Sequence, residues 1–332
     1  MGTALQSASD QGVLAAFSAA LAAAEEFVGA TAPNPPVGCV LLDVEGTVLA
    51  CAAHARAGAP HAEALAIALC DQAGITHRIH TVVATLEPCN HFGRTPPCVE
   101  AILRTPARQV WIGVADPNPK VPGSGASRLA AAGLRVGYLA ELDHPQAADL
   151  ALKAHRLIAP FAKHTRTDLP WVTVKQALNR NGAMIPPRGA KTFTSAASLV
   201  LAHRLRKRAD AVLTGSGTVL ADAPEFTIRR VPDFADKRRY LSIIDRRNRV
   251  PATYLDSACA LGFEVFIETD IGAALRHLGQ LGVLEVLVEA GPSMLQSVRE
   301  GELWDEWITI EQGEDEDRVT VTLRHDTNRK GN

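Results

Sequence analysis

Between Thr81 and Leu86 the chain runs apolar, then stops at Glu87-Pro88-Cys89; Pro96-Pro97-Cys98 opens a stretch with helical periodicity. Proline removes a backbone donor and fixes φ, so it ends a strand and suits the first turn of a helix. Both cysteines are therefore confined to one strand-to-helix junction. Upstream, Pro60-His61-Ala62-Glu63 heads a second short apolar helix in the same way. A chain that must carry these residues on junctions is directed towards a layered α/β fold, where the loops after strands hold the chemistry.

The flanking pattern agrees. A helix is predicted from Gln11 to about Phe27, followed by a hairpin of "GCVLL" and "TVLACAA" around Asp43–Gly46. Helices at "HAEALAIAL", "CVEAILR" and "GASRLAAAG" then alternate with strands at "HTVVATL", "QVWIGV" and "LRVGYL". That order predicts a mixed sheet with helices on both faces, over residues 1–145. Residues 146–168 read as a polar, helical connector. Residues 169–332 alternate again: strands "WVTVKQAL", "ADAVLTG", "YLSIID", "FEVFIE", "LEVLVEAG" and "EWITIE", with helices at Ser195–Lys207, "AALRHLGQLG" and "PSMLQSV". One more strand is expected at Val319–Leu323. Two domains suit 332 residues.

Composition narrows the function classes. A net charge of −2 lacks the basic surface that drives nucleic-acid binding. No apolar run approaches the ~20 residues that span a bilayer. The first residues, MGTALQSASDQG, have neither the basic start nor the apolar core of a signal peptide, so a cytoplasmic protein is expected. In that compartment the six cysteines are thiols or metal ligands rather than disulfides. Cys39, Cys51, Cys70 and Cys259 sit without partners in the pattern and read as small apolar or surface residues.

His61-x-Glu63 … Pro88-Cys89-x8-Cys98 has the order of a zinc nucleobase-deaminase signature, in which the glutamate carries protons and is not a ligand. His61, Cys89 and Cys98 offer one nitrogen and two sulfurs, and three protein ligands leave a fourth zinc position open to water. Zinc lowers the pKa of that water to roughly 7, and Glu63 can pass its proton to a ring nitrogen and on to the departing amine. Singly, a Cys-x8-Cys spacing or a His-Ala-Glu means little; their order at successive junctions carries the reading.

"TAPNPPVGCV", "HARAGAPHAEALA", "EPCNHFGRTPPC" and "ADPNPKVPGSG" together resemble the deaminase half of the bifunctional riboflavin-biosynthesis deaminase/reductase family, which has the eight-residue spacer where cytidine and tRNA-adenosine deaminases have Cys-x-x-Cys. The resemblance implies a cytidine-deaminase-like fold, zinc on His61, Cys89 and Cys98, and Glu63 as acid/base. It also implies contacts to a phosphoribosylated pyrimidine from Asn34, His54, His91, Arg94, Asp116 and Asn118. Arg94 would recognise phosphate or pyrimidine oxygens, because a guanidinium matches them. Where the family has a cation between two glycines, this chain has Ser124.

The second half resembles the family's reductase, which implies a dihydrofolate-reductase-like α/β domain. By position, Lys175, Thr194, Arg206, Asp222, Arg229 and Glu289 fall where the family binds its ribosyl-phosphate substrate. Gly215, Gly217, Thr218 and Gly291 fall near the NADPH site. The departures are several. The family's Ser-x-Asp-Gly is Asn179-Arg180-Asn181-Gly182, a shortened loop carries Pro186-Pro187, paired aspartates become Asp222-Ala223, and Arg246 replaces a serine. The family's Tyr-x-Ala-Pro segment has no match after Asp305-Glu306.

The leading expectation is a zinc-dependent deaminase, acting as a homodimer on a small phosphoribosylated diaminopyrimidine, whose second domain does not reduce. Such a protein would suit a branch before ribose reduction, as in toxoflavin-like azapteridine synthesis. The alternatives are the fully bifunctional enzyme using NADPH and a non-catalytic pyrimidine-binding scaffold. Glu63 favours an enzyme, since binding alone needs no proton carrier.

Overall fold

The computed structural model describes residues 9–91, 96–118, 124–185 and 192–324. It divides into two compact units, 1–166 and 167–332.

In the first unit, the Ala-rich run forms helix α1 (Asp10–Glu25), whose first turn is capped by Ser9 Oγ accepting from Gly12 N at 3.2 Å. Strands β1 (Gly38–Leu42) and β2 (Val48–Ala53) make the expected hairpin. Helix α2 (Ala62–Gln72), β3 (Thr81–Leu86), α3 (Cys98–Leu103), β4 (Gln109–Val114), α4 (Gly125–Ala131) and β5 (Arg135–Tyr138) follow. The sheet order is β2-β1-β3-β4-β5; β1 runs antiparallel to β2 and β3, and β3, β4 and β5 are parallel.

Alternation along the strands divides the core. Val40, Leu42 and Val83 face α1, while Cys39, Leu41, Val82, Val110 and Ile112 face α2, α3 and α4. Helix α1 lies so close to β1 that a Cβ at Gly38 would stand 1.9 Å from Ala20 O. The helix expected over the connector is α5 (Pro145–Thr167), which ends one residue before 168; its stripe Ala147, Leu150, Ala154 and Ile158 joins α1 in the first core. The polar exposed face of α5 dominates its composition and masks that stripe.

The second unit is built on β6 (Trp171–Leu178), α6 (Ala196–Arg208), β7 (Ala211–Gly215), α7 (Ser216–Asp222), β8 (Arg239–Ile244), α8 (Ala252–Ala260), β9 (Phe263–Glu268), α9 (Ile271–Gln280), β10 (Glu285–Val288), α10 (Pro292–Glu300), β11 (Glu306–Glu311) and β12 (Arg318–Leu323). Its sheet order is β12-β11-β6-β10-β7-β8-β9, parallel except for the antiparallel β11/β12 pair. Helices α9 and α10 cover one face; α6, α7 and α8 cover the other. Two helices depart from the sequence expectation. The Gly-Ser-Gly stretch after β7 enters α7, and α8 lies between β8 and β9; neither helix is among those expected. No helix among the described residues is long and apolar enough to cross a membrane.

Candidate active site

The site of the first unit gathers at the carboxyl ends of β3 and β4. His61 is the N-cap residue of α2, in extended conformation after Pro60. Cys98 is the first residue of α3, after Pro97. Cys89 lies in the turn that leaves β3. His61 Nδ1 stands 3.5 Å from Cys89 Sγ and 3.3 Å from Cys98 Sγ, and all three donor atoms lie within 4.8 Å of one another. Zinc–nitrogen and zinc–sulfur bonds at tetrahedral angles put N and S about 3.5 Å apart, so this donor set fits the ion. Cys98 N also donates to Cys89 Sγ at 3.3 Å.

The hydrogen bond from Cys98, then His61, holds the Cys89 thiol well below its usual range against burial, while Cys98 is pushed up as the proton-bearing partner. His61 is raised, first by its hydrogen bond with Cys89. Glu63, in the first turn of α2, is 3% exposed. Burial, then the Cys89 charge, raises its carboxyl above the ordinary value, so it holds a proton more readily than a surface glutamate.

Around the donors stand several residues named from the sequence. Asn34 Nδ2 lies 3.2 Å from His54 Nε2, and His54 Nδ1 lies 3.0 Å from Pro60 O. The His54 ring sits edge-on to His61, centroids 5.3 Å apart. His54 thus has a protein partner at each ring nitrogen. Asp116 follows β4; its Oδ1 accepts from Asn118 N at 2.9 Å. Burial pushes the Asp116 carboxyl up against that bond. His91 is exposed. Arg94 and Pro186-Pro187 lie outside the described residues. Ser124, where the family has a cation, caps α4 through Ser127 N.

Sequence reasoning missed Glu87. It is 7% exposed, and its two carboxylate oxygens accept from Asp116 N and Ala126 N. The available signal was an acid immediately before Pro-Cys, which looks the same as a solvated charge.

In the second unit, β6, α6 and the end of β10 bring Lys175, Arg206 and Glu289 together. Arg206 donates to Glu289 through Nε at 2.6 Å and Nη2 at 2.9 Å, and Lys175 Nζ lies 3.1 Å away. Burial would raise the Glu289 carboxyl, but these two cations hold it down at about 2. Gly215 is the N-cap residue of α7, and Gly217 and Thr218 lie in its first turn. Thr218 Oγ1 accepts from Gly291 N at 2.9 Å, so the heads of α7 and α10 adjoin. Thr194 bonds to Thr192, the Arg229 side chain pairs with Glu225, and Asp222 ends α7 exposed.

Comparison with known proteins places this geometry in a family. Residues 13–114 match the cytidine and deoxycytidylate deaminase zinc-binding region, and residues 170–310 match the RibD C-terminal domain. The riboflavin biosynthesis protein RibD of Aquifex aeolicus is 34% identical, with 85% of this chain and 82% of that protein aligned. The Mycobacterium tuberculosis RibD is 37% identical over 80% of this chain and 75% of its own length. A solved Thermotoga maritima protein, described as a diaminohydroxyphosphoribosylaminopyrimidine deaminase/5-amino-6-(5-phosphoribosylamino)uracil reductase, aligns with a TM-score of 0.78 at 26% identity, covering 92% of this chain and 89% of that one. Acinetobacter baumannii RibD aligns with a TM-score of 0.75 at 28% identity, covering 91% and 86%. A zinc-type deaminase half joined to a RibD reductase-type half, with relatives of this identity along most of both lengths, makes the chain a member of the RibD family of riboflavin-pathway zinc deaminases.

Proposed function

We propose that the first unit hydrolyses the amine from 2,5-diamino-6-(5-phosphoribosylamino)pyrimidin-4(3H)-one, giving 5-amino-6-(5-phosphoribosylamino)uracil and ammonia. The observation that carries this is the one-nitrogen, two-sulfur donor set with the buried Glu63 carboxyl beside it. The choice of substrate follows the deaminase activity for which the Thermotoga relative is named. In the balance, water adds across the amine-bearing carbon, the carbon–nitrogen bond breaks, and ammonia leaves.

His61, Cys89 and Cys98 would hold zinc, which supplies the Lewis acidity that makes water a nucleophile at neutral pH. Glu63 takes the proton from the attacking water, passes it to the ring nitrogen and then serves the leaving amine. Asn34, Asp116, Asn118, His91 and Arg94 would orient the pyrimidine and its ribosyl phosphate.

The second unit is proposed not to reduce the ribosyl group at a useful rate. Asn179 replaces a family serine and Asn181 a carboxylate; Asn179 Oδ1 accepts from Asn181 N and Ala183 N, so the turn is closed on itself. A second reading, reduction with NADPH, is favoured by the reductase activity for which the Thermotoga relative is also named. One experiment decides both. The purified chain is given the diaminopyrimidine ribotide, with and without NADPH, and the products are identified by mass. Deaminated ribosylamino product that persists with NADPH supports the proposal. Ribitylamino product would establish the second reading, and unreacted ribotide would end both.

A further inference from the structure

We propose that Glu87 is a positioning residue for the deamination assigned above, on which this inference rests: its carboxylate fixes the loop carrying Asp116 and Asn118 against the turn that carries Cys89. Glu87 Oε2 accepts from Asp116 N at 3.1 Å and Oε1 accepts from Ala126 N at 2.9 Å. Those donors are the two ends of the segment that leaves β4 and enters α4. One side chain therefore clamps both ends of that segment. The Glu87 backbone is tied to the same place, since its N donates to Val114 O at 2.9 Å. The approach is close: a Cβ at Gly125 would stand 1.9 Å from Pro88 O.

The residue type follows from the demand. Two backbone N–H groups need two acceptors about a carboxylate's width apart, and charged acceptors bind them about twice as strongly as neutral ones. Helix capping alone does not account for the arrangement. It would involve Ala126 N, whereas Asp116 N belongs to no helix and starts the loop. Asp116 in turn holds Asn118 N through its own carboxylate at 2.9 Å, so a shift of Asp116 carries Asn118 with it. The metal donors do not depend on these side-chain bonds. His61 and Cys98 stand on other elements, and the Glu87 backbone bond to Val114 survives a change of side chain.

The test uses the full chain as wild type, Glu87→Gln and Glu87→Asp, measuring zinc per chain, kcat and KM for the diaminopyrimidine ribotide. Glutamine can satisfy one of the two N–H groups and turns its own NH2 towards the other. Its KM should rise about 10-fold or more, the effect of one unmet buried hydrogen bond. Zinc content should match wild type, and kcat should stay within about threefold. Aspartate keeps two acceptor oxygens and should recover part of the KM. An active wild type whose KM is unmoved by Glu87→Gln overturns the proposal alone. So does loss of zinc, or of soluble protein, in both variants, since Glu87 would then only hold the fold. A wild type that leaves the ribotide unreacted overturns the assigned function, and this inference with it.

Discussion

Asn34 and His54 face each other, Nδ2 to Nε2, at 3.2 Å. The other ring nitrogen of His54 lies 3.0 Å from Pro60 O. A carbonyl only accepts, so Nδ1 carries the proton and Nε2 receives one from the Asn34 amide. This sets the amide with Oδ1 turned away from His54. Burial lowers His54, although the Pro60 bond opposes it, a direction that suits this neutral tautomer. His54→Phe keeps a ring of similar breadth and removes both bonds. KM should rise about 5- to 10-fold, as for one lost hydrogen bond, with zinc content unchanged. Steady-state kinetics beside metal analysis checks this; an unchanged KM would mean that Asn34 is oriented by something else.

Purified protein should carry about one zinc per chain, since three donors at tetrahedral spacing make one site. Cys89→Ala and Cys98→Ala should each lose it, because either change leaves two donors. Metal analysis after purification without chelator is the measurement, and a metal-free wild type would refute the zinc assignment.

Glu63→Gln preserves size and much of the hydrogen bonding but cannot carry a proton between water and ring. Deamination should fall at least ~10²-fold, the lower range for a general acid/base, with zinc retained. Ammonia release measured against zinc content separates the two effects. Turnover near that of wild type would show that another group moves the proton.

Glu289 gives the second unit an acid-sensitive contribution. Its folded value, about 2, lies below the ordinary 4.5. The ionised form is therefore favoured by folding, and its contribution is complete above about pH 4.5 and lost as pH falls towards 2. Glu289→Gln should flatten that part of the stability profile. At neutral pH it should also cost about 3 kcal/mol, the low end for breaking a buried pair and leaving Arg206 and Lys175 uncompensated. Urea unfolding across the acid range measures both. A variant with the wild-type acid profile would place the acid sensitivity in other groups.

His61, Glu63, Cys89 and Cys98 were legible in the sequence because each stands where a proline interrupts apolar periodicity, and such breaks are local signals. Most strands and helices were legible for the same reason. Helix α7 was not, because Gly215-Ser216-Gly217 reads as a turn; its place is secured by Thr218 accepting from Gly291, far along the chain. Helix α8 buries only Ala258 and leaves little periodicity to read. The stripe on α5 lay under a polar composition until the first core gave it something to cover. The side-chain bonds of Glu87 to Asp116 and Ala126, and the ion pairs that Lys175 and Arg206 make with Glu289 at the site the resemblance had named, were decided by tertiary structure. Each joins residues from different elements, and which strand ends become neighbours depends on sheet order and register. Local periodicity specifies where a strand runs and which way its side chains face; it does not specify the strand beside it.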